Sequence, residues 1–574
     1  MDNNRKNQYQ GIFLDSWHPF LWIASLIFLV YFATLFFNVV YLDDDVLVVN
    51  HYAFNKNLGN IPAAFGEDIF RNPPGEGSFY RPVERLTFMF DAQFGQGAIV
   101  FMSHLSNMFL HIISICLLFK LLLKMNIKKE TAFLFSLIFG VHPLTAQTVA
   151  FISGRNDSLL AIFIFPAWMF FLDFLETQKG KPYIWHLTFF ALALFTKETA
   201  VVLAFVCVSY ILIFINFKKI ISNYKPYLFL LAGWGSILSV WFLVRRSVLH
   251  TFLANADIQA ISSIMKNSPA LIPAIGKIIL PIRLSVFPIL KDMTMIYGII
   301  ALTILFLWFI FSKNKNYRLI LFGVSWFGLF IFLTLIKPES TTPEFSENRI
   351  YIPMFGFIFL LSGFGKISFW DKIKKKIDPE FSKKIIIALG IIIIIIFSSI
   401  TMFRNRHYRN RVSFWRNAVE TSPSSPFNHM NLGAMYYMDG NSDEAEKEFE
   451  KALEINSQEP MARNNLGLIY MNRNEFQKAE EEYDKELLLN PGYFVTYGNK
   501  AILYERMGRI DDSLDAWRKA LEINPGYSKA LRNLFIYYHK KQDKEEAIRW
   551  AKESEIRGIP LLPEMQKLLN SSAF

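Results

Sequence analysis

Apolar residues fall in long runs between positions 20 and 403, broken by short polar stretches, and a different, helical periodicity takes over afterwards. A helix that crosses a bilayer needs about 20 predominantly apolar residues. On that measure the pattern predicts eleven spans: 20–40, 104–123, 132–141 and somewhat beyond, 159–175, 183–195, 200–217, 227–244, 295–311, 319–335, 350–363 and 385–403. Segment 269–290 is equally apolar but holds Pro273, Pro281 and Pro288, with Lys277 and Arg283 between them. Interior prolines break a spanning helix, so this segment reads as re-entrant or interfacial. That reading also keeps Lys313, Lys315 and Arg318 on the inside.

Charge sets the direction of threading. Arg5 and Lys6 precede the first span, and lysines recur at 124, 128–129, 179, 181 and 218–219, and densely over 366–384. By the positive-inside rule these are cytoplasmic. An odd number of spans then places everything after Arg404 outside. The first external loop, 43–102, contains Pro62, Pro73-Pro74 and Pro82 and is predicted to hold one or two interfacial helices.

The C-terminal part repeats with a 34-residue period. Frames starting at Pro426, Pro460, Phe494 and Ser528 align Leu432, Leu466 and Leu534, then Gly433, Gly467 and Ala501, and then Tyr436, Tyr470, Tyr504 and Tyr538. Pro491 and Pro525 mark equivalent turns. This is the tetratricopeptide pattern, in which helix pairs stack and leave a concave face for an extended peptide. Projected backwards, the frame puts Trp415, Ala418 and Pro423 in register. The predicted organisation is all-α: a polytopic membrane helix bundle over 1–403, a linker helix or half-repeat over 404–425, and a solenoid of about four repeats over 426–574.

Composition agrees with a membrane protein. The 574 residues are 52% hydrophobic and 16% aromatic, with 58 Phe and a mean hydropathy of +0.26. Cys116 and Cys207 both lie in apolar runs, which speaks against disulfides or a thiolate metal site. The net charge of +11 comes from lysines beside membrane segments, so it reads as topology and anionic lipid contact, not nucleic-acid binding. No cleavable signal peptide is expected, because the first apolar run is too long and ends in charge.

The candidate chemistry starts at Tyr41-Leu42-Asp43-Asp44-Asp45-Val46, directly after the first apolar run. Carboxylates inside hydrocarbon are costly, so the triplet belongs at or beyond the far membrane face. The other polar groups that threading gathers there are Tyr80-Arg81-Pro82, His104, His142, Arg155 with Asp157, Lys197-Glu198 and Glu347-Asn348-Arg349. Cations beside a triple carboxylate suit a reaction in which a phosphate leaves and an acceptor hydroxyl loses a proton. Arginine grips phosphate through two parallel N–H groups, and a carboxylate can take the proton. Plainer readings stand beside this one. Arg155 can pair with Asp157 and Lys197 with Glu198, while His104 and His111 fall on neighbouring faces of one helix as interior histidines. No cofactor is certain. A divalent cation on the aspartates and His142 stays open, although no ligand spacing supports it.

Taken in order, these motifs resemble the transmembrane and tetratricopeptide-repeat-containing O-mannosyltransferases and their prokaryotic relatives, membrane glycosyltransferases of GT-C architecture. The matching pieces are Asp43-Asp44-Asp45 with Asn50, Tyr80-Arg81-Pro82, and His104-x-x-Asn107-x-x-x-His111. They continue with Phe139-Gly140-Val141-His142-Pro143, Val149, Gly154-Arg155-x-Asp157, Lys197-Glu198, Glu347-x-Arg349-x-Tyr351-x-Pro353 and the repeats. The repeats number about four, fewer than animal members usually carry.

The resemblance implies transfer of a sugar, mannose in the family's name, from a polyprenyl-phosphate donor to Ser or Thr hydroxyls of protein. It implies inversion, on the extracytoplasmic face of the plasma (inner) membrane, with the repeats presenting the acceptor polypeptide. It also implies a general base in the triplet, and Asp44, which belongs to both possible acidic pairs, is the candidate, with Asp43 and Asp45 flanking it. Arg349 is the implied phosphate ligand, with Arg81 and Lys197 in support. Tyr80, His104, His142, Arg155, Asp157, Glu198, Glu347 and Tyr351 form the supporting set. The competing reading is a non-catalytic membrane-anchored scaffold whose repeats assemble envelope complexes. A transporter would place charges at mid-membrane, and the spans are mostly free of them.

Overall fold

The computed structural model describes residues 14, 16–72, 77, 79–250, 256–336, 347–367 and 379–572. Arg5, Lys6, residues 337–346 and much of the lysine-rich stretch 366–384 lie outside the described residues. The chain separates into two compact units, Met1–Ser422 and Pro423–Phe574. Both are helical. Among the described residues the one sheet is a two-residue antiparallel pair, Ser312 opposite Ile367 and Lys313 opposite Lys366.

Apolar helices form where the runs predict them. In chain order they are α1 (His18–Tyr31), α3 (Ile99–Lys124), α4 (Lys129–Gly140), α5 (Arg155–Thr177), α6 (Gly180–Thr196), α7 (Val202–Phe214) and α8 (Lys225–Leu249). They continue as α10 (Ile296–Phe311), α11 (Tyr317–Thr334), α12 (Met354–Gly363) and α13 (Pro379–Asn405). The helix α2 (Pro82–Phe94) stands in the first loop, beside several one- to two-turn helices between Asp45 and Gly66.

Six helices among the described residues are long and apolar enough to cross a membrane alone, or seven if Lys129–Gly140 and Pro143–Ala150 make one span bent by 50°. The bend falls at Pro143, which has no N–H to continue the ladder and holds His142 extended before it. The remaining predicted spans correspond to shorter helices: α6, α7, α10 and α12 run for 17, 13, 16 and 10 residues. Segment 269–290 contains α9 (Leu271–Ile279), whose nine residues extend only about 14 Å. The first helix also ends earlier than expected. A tight turn, Phe32–Phe36, finishes it, and Asn38 N–H then bonds the Arg409 carbonyl at 2.9 Å. The aspartates therefore follow a short irregular connection, not a helix end.

The core of the first unit is dense with aromatic rings. Trp168 of α5 packs on Phe322 and Trp326 of α11, with ring centroids 5.3 and 5.6 Å apart. Gly323 and Gly356 let α11 and α12 touch backbone to backbone: a Cβ on Gly323 would stand 2.6 Å from the Gly356 carbonyl oxygen. The helix α14 (Arg411–Thr421) packs on this same unit. Val286 N–H donates to Asn417 Oδ1, and the Trp415 ring meets Phe287 at 5.8 Å.

The second unit holds four helix pairs, Pro426–Met438 with Ser442–Ile455, Ala462–Asn472 with Phe476–Leu489, Phe494–Arg506 with Ile510–Ile523, and Ser528–Lys540 with Lys544–Ile556. A final helix, Pro563–Ser572, follows them. Each pair buries one large and one small residue at equivalent positions. A Cβ on Gly433 would meet the Phe449 ring at 2.7 Å, and one on Gly467 the Tyr483 ring at 2.5 Å. Ala501 and Trp517 continue the pattern, and the last repeat inverts it with Phe535 and Ala551, all four buried. Conserving the summed volume while swapping sides is how stacked repeats tolerate change.

Candidate functional site

The acidic triplet occupies a turn that its own middle member organises. Tyr41 takes a left-handed conformation (φ 57°), and the chain then enters a short wide helix, Asp45–Asn50. Asp44, 1% exposed, accepts N–H groups from Val40 at 2.7 Å, Asp45 at 3.1 Å and Leu42 at 3.4 Å. Burial pushes its carboxyl up to about 6, against the pull of those N–H groups. Asp43 and Asp45 are partly exposed on either side. Burial raises both, and Arg81 draws Asp43 back down. Within the triplet, Asp44 builds the turn and Asp43 is the carboxylate that feels the Arg81 charge.

Arg81 is held by the start of α2. A residue before proline is driven out of the helical region, and Arg81 duly takes φ −136°, with Pro82 opening the helix. Its guanidinium forks onto Glu198, with Nε to Oε2 at 3.1 Å and Nη2 to Oε1 at 2.8 Å. One turn later Glu84 projects to the same side, its Oε2 3.7 Å from Arg81 Nη1. The break after α6 separates two neighbours. Lys197 is extended and reaches Asp157 Oδ1 at 2.5 Å and Asn156 Oδ1 at 2.8 Å, while Glu198 turns to Arg81. Asn348 donates to Asp157 Oδ2 at 3.3 Å, which ties the turn Glu347–Ile350 to the same group. Arg81, Glu84, Asp157, Lys197, Glu198 and Asn348 thus meet from four stretches of the first unit, and Asp43 lies within reach of the Arg81 charge.

The pairs are not those that sequence neighbourhood suggests. Arg155 does not bond Asp157, because residues two apart on a helix point to different faces. Its guanidinium, fully buried, pairs with Asp91 at 2.7 Å and donates to Asn107 Oδ1, Thr87 Oγ1 and the Ser103 carbonyl. Asn107 in turn donates to the carbonyls of Phe151 and Ile152, so Arg155 closes a brace among α2, α3 and α5.

The other predicted residues bond to groups outside this cluster. Tyr80 is buried and donates to the Phe65 carbonyl at 3.0 Å. His104 is buried in α3 with its ring edge-on to Phe37. His142 has both ring nitrogens engaged, one with the Leu144 N–H and one with the Ile278 carbonyl, and neither with an aspartate. Tyr351 bonds His111 at 2.9 Å and Ser114 at 2.7 Å in the helix core. Glu347 is fully buried between Lys277 at 2.5 Å and Arg404 at 2.7 Å, and also accepts Ser285 N–H. Burial would raise its carboxyl, but Lys277 and Arg404 outweigh that and hold it low. Arg349 donates to the Thr334 carbonyl at 3.0 Å, near the end of α11.

Among the described residues no group of three His, Cys, Asp or Glu side chains is arranged to hold a metal ion. What the cluster offers is a carboxylate able to accept a proton beside a forked guanidinium and an ammonium. Glu84 is the member that sequence reading missed. A glutamate in a helix first turn usually marks a solvated, dipole-stabilised face. Its spacing of three from Arg81 was the available signal.

The sequence profile of the dolichyl-phosphate-mannose-protein mannosyltransferase family matches residues 92–247. That span includes Arg155, Asp157, Lys197 and Glu198 but not Asp43, Arg81 or Glu84. Tetratricopeptide-repeat profiles match 426–459, 462–493 and 494–527. No curated protein matches the chain. Among solved structures it is similar to a crystal structure of MamA, at 22% identity over 26% of this chain and 86% of that one, with a TM-score of 0.23. It is also similar to PilF of Pseudomonas aeruginosa, at 18% over 27% and 70%, TM-score 0.25. A third is YrrB, described as a TPR protein with an unusual peptide-binding site, at 20% over 31% and 89%, TM-score 0.23. Likenesses at such TM-scores carry nothing about what this chain binds.

Proposed function

We propose that this chain, a membrane glycosyltransferase of the mannosyltransferase family with C-terminal tetratricopeptide repeats, moves a sugar from a polyprenyl-phosphate donor to Ser or Thr hydroxyls of protein. The observation that carries the reading is the gathering of Arg81, forked on Glu198, with the Lys197–Asp157 pair, groups far apart in sequence, and the reach of the Arg81 charge to Asp43. In this mechanism Arg81 and Lys197 hold the donor phosphate, with Arg349 on the adjoining turn Glu347–Ile350. Asp43 accepts the proton of the acceptor hydroxyl as the sugar carbon is attacked from the face opposite the phosphate, which inverts its configuration. Asp44 shapes the turn that presents Asp43, and Asp45 closes its other side. The first unit, residues 1–403 with the 404–425 link, carries the chemistry on the extracytoplasmic face of the plasma (inner) membrane. The repeats present the acceptor polypeptide.

The test is mass spectrometry of extracytoplasmic proteins from cells making the wild type, Asp43→Asn, or Asp44→Asn. Each change keeps the side chain's shape while removing the carboxylate. Loss of hexose-modified peptides in Asp43→Asn, with the protein still folded in the membrane, supports the transferase. An unchanged glycopeptide set in both variants would leave the membrane-anchored scaffold as the better account.

A further inference from the structure

Three of the cations around the head of α2 have a carboxylate at closer range than Glu84, and the fourth, Arg85, is turned to the carbonyls of Asp68 and Ile69. Arg81 pairs with Glu198, Lys197 with Asp157, and Arg155 with Asp91. Among the described residues Glu84 has no cation at hydrogen-bond distance: Arg81 Nη1 stands 3.7 Å from its Oε2. It is 1% exposed, and its Oε2 has no hydrogen-bond partner. The charged groups that act on it are Arg81 and Arg85 at the start of its own helix, Lys197 and Glu198 from the break after α6, and Arg155 from α5.

An ionised carboxylate in that position is sustained only by the field of cations whose hydrogen bonds go to other groups. A phosphate arriving at Arg81 and Lys197 would draw on the same field. Two anions competing for one set of cations cannot both stay charged at low cost, and the phosphodiester of a lipid-linked sugar has no accessible proton equilibrium. The carboxyl has one.

We propose that Glu84 is the group that yields: it takes a proton from solvent when the phosphodiester donor binds at Arg81 and Lys197, and releases it when the phosphate departs. The inference rests on the reading of this cluster as the donor's phosphate site. As the carboxyl O–H forms, one O–H bond of a hydronium ion or buffer acid breaks, and the reverse happens on release. Its present environment suits the task, since burial pushes it up to about 7 although Arg81, Lys197 and Arg155 pull it down. Near neutral pH it is therefore divided between its two forms, and a small change of field tips it.

The full-length protein in detergent is titrated with methyl farnesyl phosphate, a phosphodiester lipid whose single charge does not change near neutral pH. Calorimetry in two buffers of different ionisation enthalpy counts the protons exchanged. The wild type should take up about half a proton per ligand at pH 7, and its affinity should fall by up to about tenfold per pH unit above that. Glu84→Gln should bind with no uptake and a flat pH profile, while Glu84→Asp and Asp43→Asn should keep the uptake. Wild-type binding without proton uptake overturns the inference and leaves the phosphate site standing. Uptake that survives in Glu84→Gln but disappears in Asp43→Asn overturns it in favour of the triplet. Failure of the wild type to bind the probe at all overturns the phosphate reading, and this inference with it.

Discussion

Two buried glutamates sit among cations in the first unit, and they are answered differently. Glu347 meets Lys277 and Arg404 at ion-pair distance and a backbone N–H as well, so burial is outweighed and it stays ionised. It joins α9, the loop through Ser285 and α13 into one body. Glu84 has neighbouring cations whose hydrogen bonds go to other groups, so burial wins and its carboxyl is pushed up to about 7. A buried carboxylate with its own cations is a fastener, whereas one without them is a group that can change state.

The contrast breaks most visibly if the fastener is removed. Glu347→Ala leaves Lys277 and Arg404 buried without their partner and should cost about 3–5 kcal/mol, read as a lowered thermal unfolding midpoint in detergent. The candidate base should behave oppositely. Asp43→Asn should lower the transfer rate about 10²–10⁴-fold in an assay with lipid-linked sugar and a Ser/Thr peptide, with the unfolding midpoint nearly unchanged.

Asp44 offers a pH test of the turn. Its carboxyl is raised on folding from 3.8 to about 6, so the folded state holds the proton more tightly. Stability is therefore fully present below about pH 4 and declines as pH rises to about 6, by about 2–3 kcal/mol in all. Unfolding of Asp44→Asn should lack that decline. The smallest effect is expected at the fork: Arg81→Lys keeps the charge but loses the two-pronged grip. It should raise the KM for donor about tenfold while kcat changes little.

Local chemistry was readable directly from the chain. Hydropathy marks apolar helices because each residue's preference for hydrocarbon acts where it stands, and the 34-residue period marks the repeats because each helix pair meets only its neighbours. The helix boundaries were less legible: the first helix stops at Phe36, where Asn38 finds the Arg409 carbonyl. The motifs around Arg81, Asp157 and Lys197 lie in stretches that the fold brings together, but their pairing was not legible.

Arg81 finds Glu198 across 117 positions, and Lys197 finds Asp157 across 40. Arg155 and Asp157, two residues apart, face different partners because a helix turns between them. Glu84 looked like an ordinary first-turn charge. So the amino-acid order by itself determined which segments are helices and which of them repeat, and tertiary packing decided which charges share a partner. A charge's state depends on every group within a few ångströms, and in this fold those groups arrive from distant parts of the chain.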